Sequence, residues 1–237
     1  MKLGIKFMKP DISIIIPAYN EEKLIGKTIR SIFDSNFSGT FEVIVVCNGC
    51  TDKTAEIALA SGAKVLQAPS KGTADASNYG AGKSLAGILA FLDADTIVSK
   101  NLLSEVMEAI QKGFVGGRTV VRWEGKSLAT KIFSLVSYIH VHKWGGFCFL
   151  KKSVFEEIGG YKSGAKYGFD FDLARRASKG RKVTLLHRSY VLTSDRRFTK
   201  EGWWKHIWLG IKRSVIDDKI LRKGVKSEKD IIYEDHR

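Results

Sequence analysis

An α/β fold, with a mostly parallel central sheet flanked by helices and a basic helical C-terminal extension, is what this sequence predicts. Three observations lead there. Short β-rich apolar runs alternate with helical patterns through the first half, as in successive βαβ units. The polar stretches PAYNEE, CNGCTD and LDAD each follow one of those runs, so they should gather along one edge of the sheet, where open α/β sheets bind ligands. Basic charge is concentrated late: Arg196 to Lys226 carries ten Lys/Arg against three Asp/Glu.

Taking the elements in order, Ile12 to Ile16 reads as a strand, and Glu21 to Phe33 as a helix with acidic residues in its first turn and Leu24, Ile25, Ile29, Ile32 and Phe33 on its apolar side. Phe41 to Val46 is the second strand. Thr51 or Asp52 can cap a helix running to about Ala60, with Gly62 suited to its stop. Lys64 to Leu66 is a short third strand, Thr73 to Gly87 is helix-tolerant despite three glycines, and Ile88 to Leu92 is the fourth strand. Beyond it, Leu102 to Ile110 is helical and Val115 to Trp123 strand-like, and Ser127 to Trp144 has helical spacing. Then come an apolar piece, Gly146 to Leu150, a helix from Ser153, a helix through YGFDFDL to Ser178, and a strand near Val183 to Leu186. No internal repeat or low-complexity linker divides the chain. We expect a domain over residues 1–198, with halves at about 11–98 and 99–198, and a basic amphipathic extension over 199–237.

The 237 residues are 44% hydrophobic and 27% charged, the composition of a globular protein with a sizeable core rather than a disordered or fibrous one. No run of about 18 apolar residues is present, and MKLGIKFMKP lacks the apolar stretch of a secretory signal. Three cysteines fit a reducing compartment better than a disulfide framework. The expected location is therefore cytoplasmic. A net charge of +14 favours anionic partners: nucleotides, phospholipid surfaces or nucleic acid.

The chemistry centres on FLDADT. Asp93 and Asp95 flank one small residue at a strand's end, an arrangement of oxygen ligands suited to Mg²⁺ or Mn²⁺ with coordination sites left for phosphate oxygens. A solvated turn is the plain alternative for an isolated DAD. The other segments shift the balance. ISIIIPAYNEEKLIGKTIRSI, FEVIVVCNGCTDKT, LAFLDADT, GGFCFLKKSVFEEIGGY and YGFDFDLARRASKGRKV, in this order and spacing, resemble the family 2 glycosyltransferases over about Asp11 to Phe198.

That resemblance implies the GT-A fold, the Rossmann-like architecture of nucleotide-diphospho-sugar transferases. It also implies single-displacement, inverting sugar transfer from a UDP- or GDP-linked donor with Mn²⁺ or Mg²⁺. Carried over by position, Pro17, Ala18, Tyr19 and Glu21 would line the nucleoside pocket, with Asp52 supporting it and Lys71 beside the nucleotide. Asp93 would face the ribose or the metal, and Asp95 would hold the metal on the diphosphate. Asp170 would be the catalytic base, with Asp172 the competing candidate. Family members usually carry an acid where this chain has Cys47; Asn48 would substitute in part, which leaves the donor base open. Arg196 and Arg197 could fold over the diphosphate as a clamp. The acceptor is expected to be a saccharide or a lipid-linked molecule near a membrane surface.

Other readings compete. DADTI approaches the aspartyl-nucleophile motif of haloacid-dehalogenase-like phosphatases, with Asp93 attacking phosphorus, although three strand signals precede it here. Cys47 and Cys50 form a CxxC, but the helix signal starts after the second cysteine, unlike a thioredoxin-type site. His187 could reach a metal, or serve structure alone. A helix after Gly202 would align Trp204, Trp208, Ile211 and Val215, with Lys205, Lys212 and Arg213 elsewhere. It would either pack on the domain or lie on an anionic membrane, attaching the protein peripherally to the inner face of the cell membrane. A basic, non-enzymatic nucleic-acid binder is the third reading, but no nucleic-acid motif accompanies the charge and no nucleic-acid partner is expected.

Overall fold

The computed structural model describes residues 9–69, 71–125, 146–164 and 169–194. The expected helix at Ser127 to Trp144, Arg196 and Arg197, and the Trp204 to Val215 segment lie outside the described residues.

Among the described residues, eight strands form one sheet in the order β3-β2-β1-β4-β7-β6-β8-β5. Four of them are parallel neighbours from the first half: β1 (Ile12–Ala18), β2 (Phe41–Cys47), β3 (Lys64–Gln67) and β4 (Ile88–Leu92). β6 (Gly116–Glu124) and β7 (Phe147–Lys151) add antiparallel pairings, and β8 (Val183–Ser194) runs parallel to β6. β5 (Thr96–Val98) closes the far edge against β8.

Strands β1, β2 and β4 are buried on both faces, which is why ISIII and VIVV are continuous rather than alternating. On one face Ile14, Ile16, Val43, Val45, Ala90 and Leu92 pack with α1 (Ile25–Phe33), α2 (Thr54–Ala60) and α4 (Leu102–Gln111). On the other, Ile15, Ile44, Val46, Leu89 and Phe91 pack with α3 (Thr73–Lys83), α5 (Lys152–Glu157) and α6 (Phe169–Ser178). Small residues let α3 lie close to the sheet. A Cβ at Gly80 would come within 2.7 Å of Ile15 Cγ2 and 2.9 Å of Val46 Cγ2, so glycine is required there despite its cost to a helix.

The sheet curls, and its connectivity demands it. β4 and β5 are four places apart in the sheet, a flat distance of about 19 Å. Only Asp93, Ala94 and Asp95 join them, and the chain from Leu92 to Thr96 reaches at most about 14 Å. The bend is made at β8, where the register with β6 jumps from Leu186 opposite Thr119 to Tyr190 opposite Val120. The Glu105 carboxylate of α4 accepts the backbone N–H groups of His187 and Arg188 in this bulge, each at 3.2 Å. This curl brings the outer end of β8 back beside the acidic turn after β4.

Several sequence expectations change. The first helix begins at Ile25, not Glu21, and has no acid in its first turn. Glu21 to Leu24 instead form a turn tied to the loop after β2. The second helix starts at Thr54 rather than at Thr51 or Asp52, and the third stops at Lys83. The last strand continues past Leu186 to Ser194 through the bulge, and β5 was not foreseen.

Candidate active site

The three loops at the carboxyl ends of β1, β2 and β4 meet as the strand order requires. Asn20 takes a left-handed backbone (φ 54°), which turns the chain out of β1 and leaves Tyr19 largely exposed at the cleft. The Asn20 side chain accepts from Thr51 N at 2.9 Å. Glu21 N donates to Thr54 Oγ1 at 2.7 Å, and Glu22 N to Asp52 Oδ2 at 3.1 Å. Asp52 also accepts from Thr54 N and Thr54 Oγ1. Its limited desolvation is outweighed by these hydrogen bonds, which hold the carboxyl below its usual range. Asp52 thus builds the loop junction beneath Tyr19.

On the next loop, Asn48 N donates to Ala18 O at 2.8 Å, while Asn48 Oδ1 accepts from Gly72 N at 2.9 Å. That bond places the exposed Lys71 beside Gly49. Cys47 is fully buried and Cys50 half-buried, and burial followed by the neighbouring Cys50 pushes the Cys47 thiol up to about 12. Such a thiol stays protonated, the opposite of what a CxxC redox centre needs.

Asp93, Ala94 and Asp95 are held from both sides. Thr28 of α1, itself buried, donates to Ala94 O at 2.9 Å. Thr96 Oγ1 donates to Thr193 Oγ1 at 2.9 Å, and Thr193 Oγ1 donates to Asp95 Oδ1 at 3.4 Å. Asp93 opens to solvent at the cleft, but the surrounding walls restrict its hydration. That restriction first, then the charges of Asp95 and Glu21, push it up to about 6, with a hydrogen bond from the Gly146 backbone opposing. Three carboxylates from two loops therefore share one neighbourhood.

A pocket leads inward from Asp93. It is lined by Pro17, Thr73, Ser77, Phe147, Cys148, Tyr161 and Asp170. Asp170 stands in the first turn of α6. Burial, then the charge of Asp93, push its carboxyl up to about 8, while a hydrogen bond with Tyr161 opposes the rise. Asp172 is placed differently. Arg176 Nε binds it at 2.8 Å, with Arg175 and Lys162 further off, and Arg176 goes on to the carbonyls of Ile158 and Gly160. That network locks α6 to the preceding turn, and Asp172 is absent from the pocket lining. The geometry separates the two acids: Asp170 lines the pocket and Asp172 is held by Arg176.

The donor set at the acidic turn consists of carboxylate oxygens, the chemistry of a hard divalent cation. Among the described residues no group of three His, Cys, Asp or Glu could hold an ion by itself. Asp93 and Asp95 thus fit an ion shared with a phosphorylated ligand, since Mg²⁺-type sites take one or two carboxylates and fill the rest with phosphate oxygens and water. His187 lies exposed in the β8 bulge and is not part of this site. Thr28, Thr193, Thr73, Ser77 and Tyr161 were missed by sequence reasoning. Thr28 and Tyr161 lie within segments that carry the family resemblance, but nothing local marks either as part of the site.

The family model described as Glycosyl transferase family 2 matches residues 13–176. Among curated proteins, 4,4'-diaponeurosporenoate glycosyltransferase of Staphylococcus aureus is 26% identical over 87% of this chain and 63% of its own length. The chain thus spans less than two thirds of that relative. Among solved structures, a mannosyltransferase from Pyrobaculum calidifontis, in complex with GDP-Man and Mn²⁺, aligns with a TM-score of 0.69 at 18% identity, over 92% of this chain and 66% of that one. Glucosyl-3-phosphoglycerate synthase from Mycobacterium tuberculosis, with Mn²⁺, UDP-glucose and phosphoglyceric acid, gives 0.66 at 19%, over 92% and 82%. S. aureus TarS 1–349 with UDP-GlcNAc gives 0.65 at 18%, over 78% and 59%. These likenesses establish the GT-A fold, and the match over residues 13–176, most of the chain, sets aside the phosphatase and nucleic-acid readings: the protein belongs to glycosyl transferase family 2.

Proposed function

We propose that this protein transfers a sugar from a UDP- or GDP-linked donor to an acceptor hydroxyl with inversion, Asp170 serving as general base. The observation that carries the reading is the pocket itself: Asp93 and Asp170 come from distant parts of the chain and line one cavity, where the charge of Asp93 raises the proton affinity of Asp170. Asp93 and Asp95 would hold a divalent cation, Mn²⁺ or Mg²⁺, whose charge offsets the negative charge that builds on the leaving diphosphate. The chain's own residues do the rest. Pro17, Ala18, Tyr19 and Glu21 bound the nucleoside side, and Asn48 and Lys71 border the loop beside it. Asp52 keeps that floor in register by hydrogen bonds rather than by ligand contact.

Asp170, in the same pocket, accepts the proton of the attacking hydroxyl. Its raised proton affinity at rest suits a base that must pick up a proton near neutral pH, and neutralising Asp93 would bring it down toward the working range. Asp172, held by Arg176, serves to fix α6 in this reading. Structural neighbours with Mn²⁺ and nucleotide sugars support the donor class, and the base, uracil or guanine, is left to experiment. Arg196 and Arg197 would add a clamp on the diphosphate from the segment after β8.

The acceptor is a saccharide or a lipid-linked molecule. The basic aromatic stretch from Trp204 to Val215 supports transfer at an anionic membrane surface on the cytoplasmic side, with the protein attached peripherally. No described helix is long and apolar enough to cross a membrane. The test is thermal unfolding with UDP or GDP, with and without Mn²⁺. Stabilisation is expected only with metal and nucleotide together and is lost in Asp95→Ala. Stabilisation that survives Asp95→Ala, or that ignores the metal, would refute the assignment.

A further inference from the structure

Tyr161 is 2% exposed, and its ring is packed edge-on against Phe91, Phe155 and Phe169 at centroid distances of 5.1, 5.8 and 5.5 Å. Its backbone is clasped by one side chain: Asn78 Oδ1 accepts from Tyr161 N at 2.9 Å, and Asn78 Nδ2 donates to Tyr161 O at 2.8 Å. The preceding Gly160 has φ 62°, and a Cβ there would come within 2.7 Å of Asn78 Oδ1, so the clasp depends on glycine. Packing of this kind needs a phenyl ring and no more. A hydroxyl buried in such a cluster costs free energy unless it is hydrogen-bonded.

The partners of that hydroxyl are the Cys148 thiol, 3.5 Å away, and the Asp170 carboxyl. Chemistry orients them. In the ionised form that acts as a base, the Asp170 carboxylate only accepts, and a tyrosine has one O–H proton to give, so the proton goes to Asp170. The Cys148 S–H then donates to the tyrosine oxygen. Burial, acting first on each group, raises both the thiol and the phenol, so both keep their protons in this order.

We infer that Tyr161 is the positioning residue for Asp170: wedged by Asn78 and the aromatic cluster, its hydroxyl holds one carboxylate oxygen and leaves the other for the acceptor's proton. The inference rests on the reading of Asp170 as the base. Nothing in it requires Tyr161 to touch substrate.

The test is Tyr161→Phe, which keeps the ring and removes only the hydroxyl, made alone and together with Asp170→Asn in the full chain. Release of nucleoside diphosphate is followed from UDP-glucose, UDP-N-acetylglucosamine and GDP-mannose with Mn²⁺, water serving as acceptor. With the donor that turns over, kcat falls about tenfold or more while KM stays within about twofold, as expected when only the base is misplaced. At pH 9, the Tm changes of the two substitutions fail to add by at least about 2 °C. An unchanged kcat, a parallel rise in KM, or additive Tm changes would overturn the proposal. If the unmodified protein turns over none of the three donors, the transferase reading is what fails. The Tm cycle, which needs no substrate, then decides the Tyr161 link by itself.

Discussion

Replacing Asp170 by asparagine is expected to stabilise the protein at neutral and alkaline pH while stopping transfer. In the fold its carboxyl is pushed from an ordinary 3.8 to about 8, by burial first and by Asp93 second. The folded chain therefore keeps this proton over a range in which the unfolded chain gives it up. The sign follows: below about pH 4 both states are protonated and Asp170 costs nothing. Stability is then lost progressively as pH rises toward 8, and the loss is constant above that. Four pKa units at about 1.36 kcal/mol each set a ceiling of about 5–6 kcal/mol. The carboxyl is half-buried at a pocket open to the cleft, so water relaxes part of the penalty, and about 2–3 kcal/mol is the expected size. Asparagine has no such titration. Urea unfolding of both proteins at pH 5, 6, 7, 8 and 9 should show a stability gap in favour of Asp170→Asn that widens to about pH 8 and then levels. A gap independent of pH, or one favouring the unmodified protein at pH 8, would refute the reasoning.

Further outcomes follow from the same geometry. Thr28→Val removes the only described hydrogen bond from α1 to the carbonyl of Ala94, and should cost about 1–3 kcal/mol in denaturant unfolding. The same variant should weaken Mn²⁺–nucleotide binding several-fold in calorimetry, because Asp93 and Asp95 flank that carbonyl. Gly80→Ala drives a methyl to within 2.7 Å of Ile15, so the helix-propensity gain is overridden and Tm drops by an amount equivalent to about 1–3 kcal/mol. Arg176→Met, which frees Asp172 and the carbonyls of Ile158 and Gly160, should lower stability by about 2–4 kcal/mol. If Asp172 rather than Asp170 is the base, Asp172→Asn in a refolded, nucleotide-binding preparation will abolish turnover and Asp170→Asn will not.

What could be read from the sequence was whatever local pattern decides. Strands β1, β2 and β4 announce themselves because both faces are buried, and the acidic turn announces itself because apolar Leu92 is followed at once by two carboxylates. The start of α1 was misread because Glu21 and Glu22 look like first-turn acids. Instead the Thr54 hydroxyl accepts the backbone N–H of Glu21 and the Asp52 carboxylate that of Glu22, partners 33 and 30 residues away. β8 was cut short at Leu186 because His187, Arg188 and Ser189 break the apolar pattern. Glu105 from α4 pairs their backbone, and no local signal reports that. The two acids of GFDFD could not be told apart in one dimension. Arg176, four residues after Asp172, offers an ion pair on the helix face. Tyr161 and Cys148 surround Asp170 only after the chain has crossed the sheet. The fold was thus largely legible and the cleft edge partly so, while the order of its carboxylates came from the resemblance and not from local pattern.

The most direct test of the account is a crystal structure of the full chain with Mn²⁺ and a UDP- or GDP-linked sugar, with the metal located by its anomalous signal. The account predicts the ion bound by Asp95, with or without Asp93, and by diphosphate oxygens at about 2.0–2.2 Å, with Asp170 on the face of the sugar away from the diphosphate. An ion bound elsewhere, or a diphosphate lying beside Asp170, would contradict it.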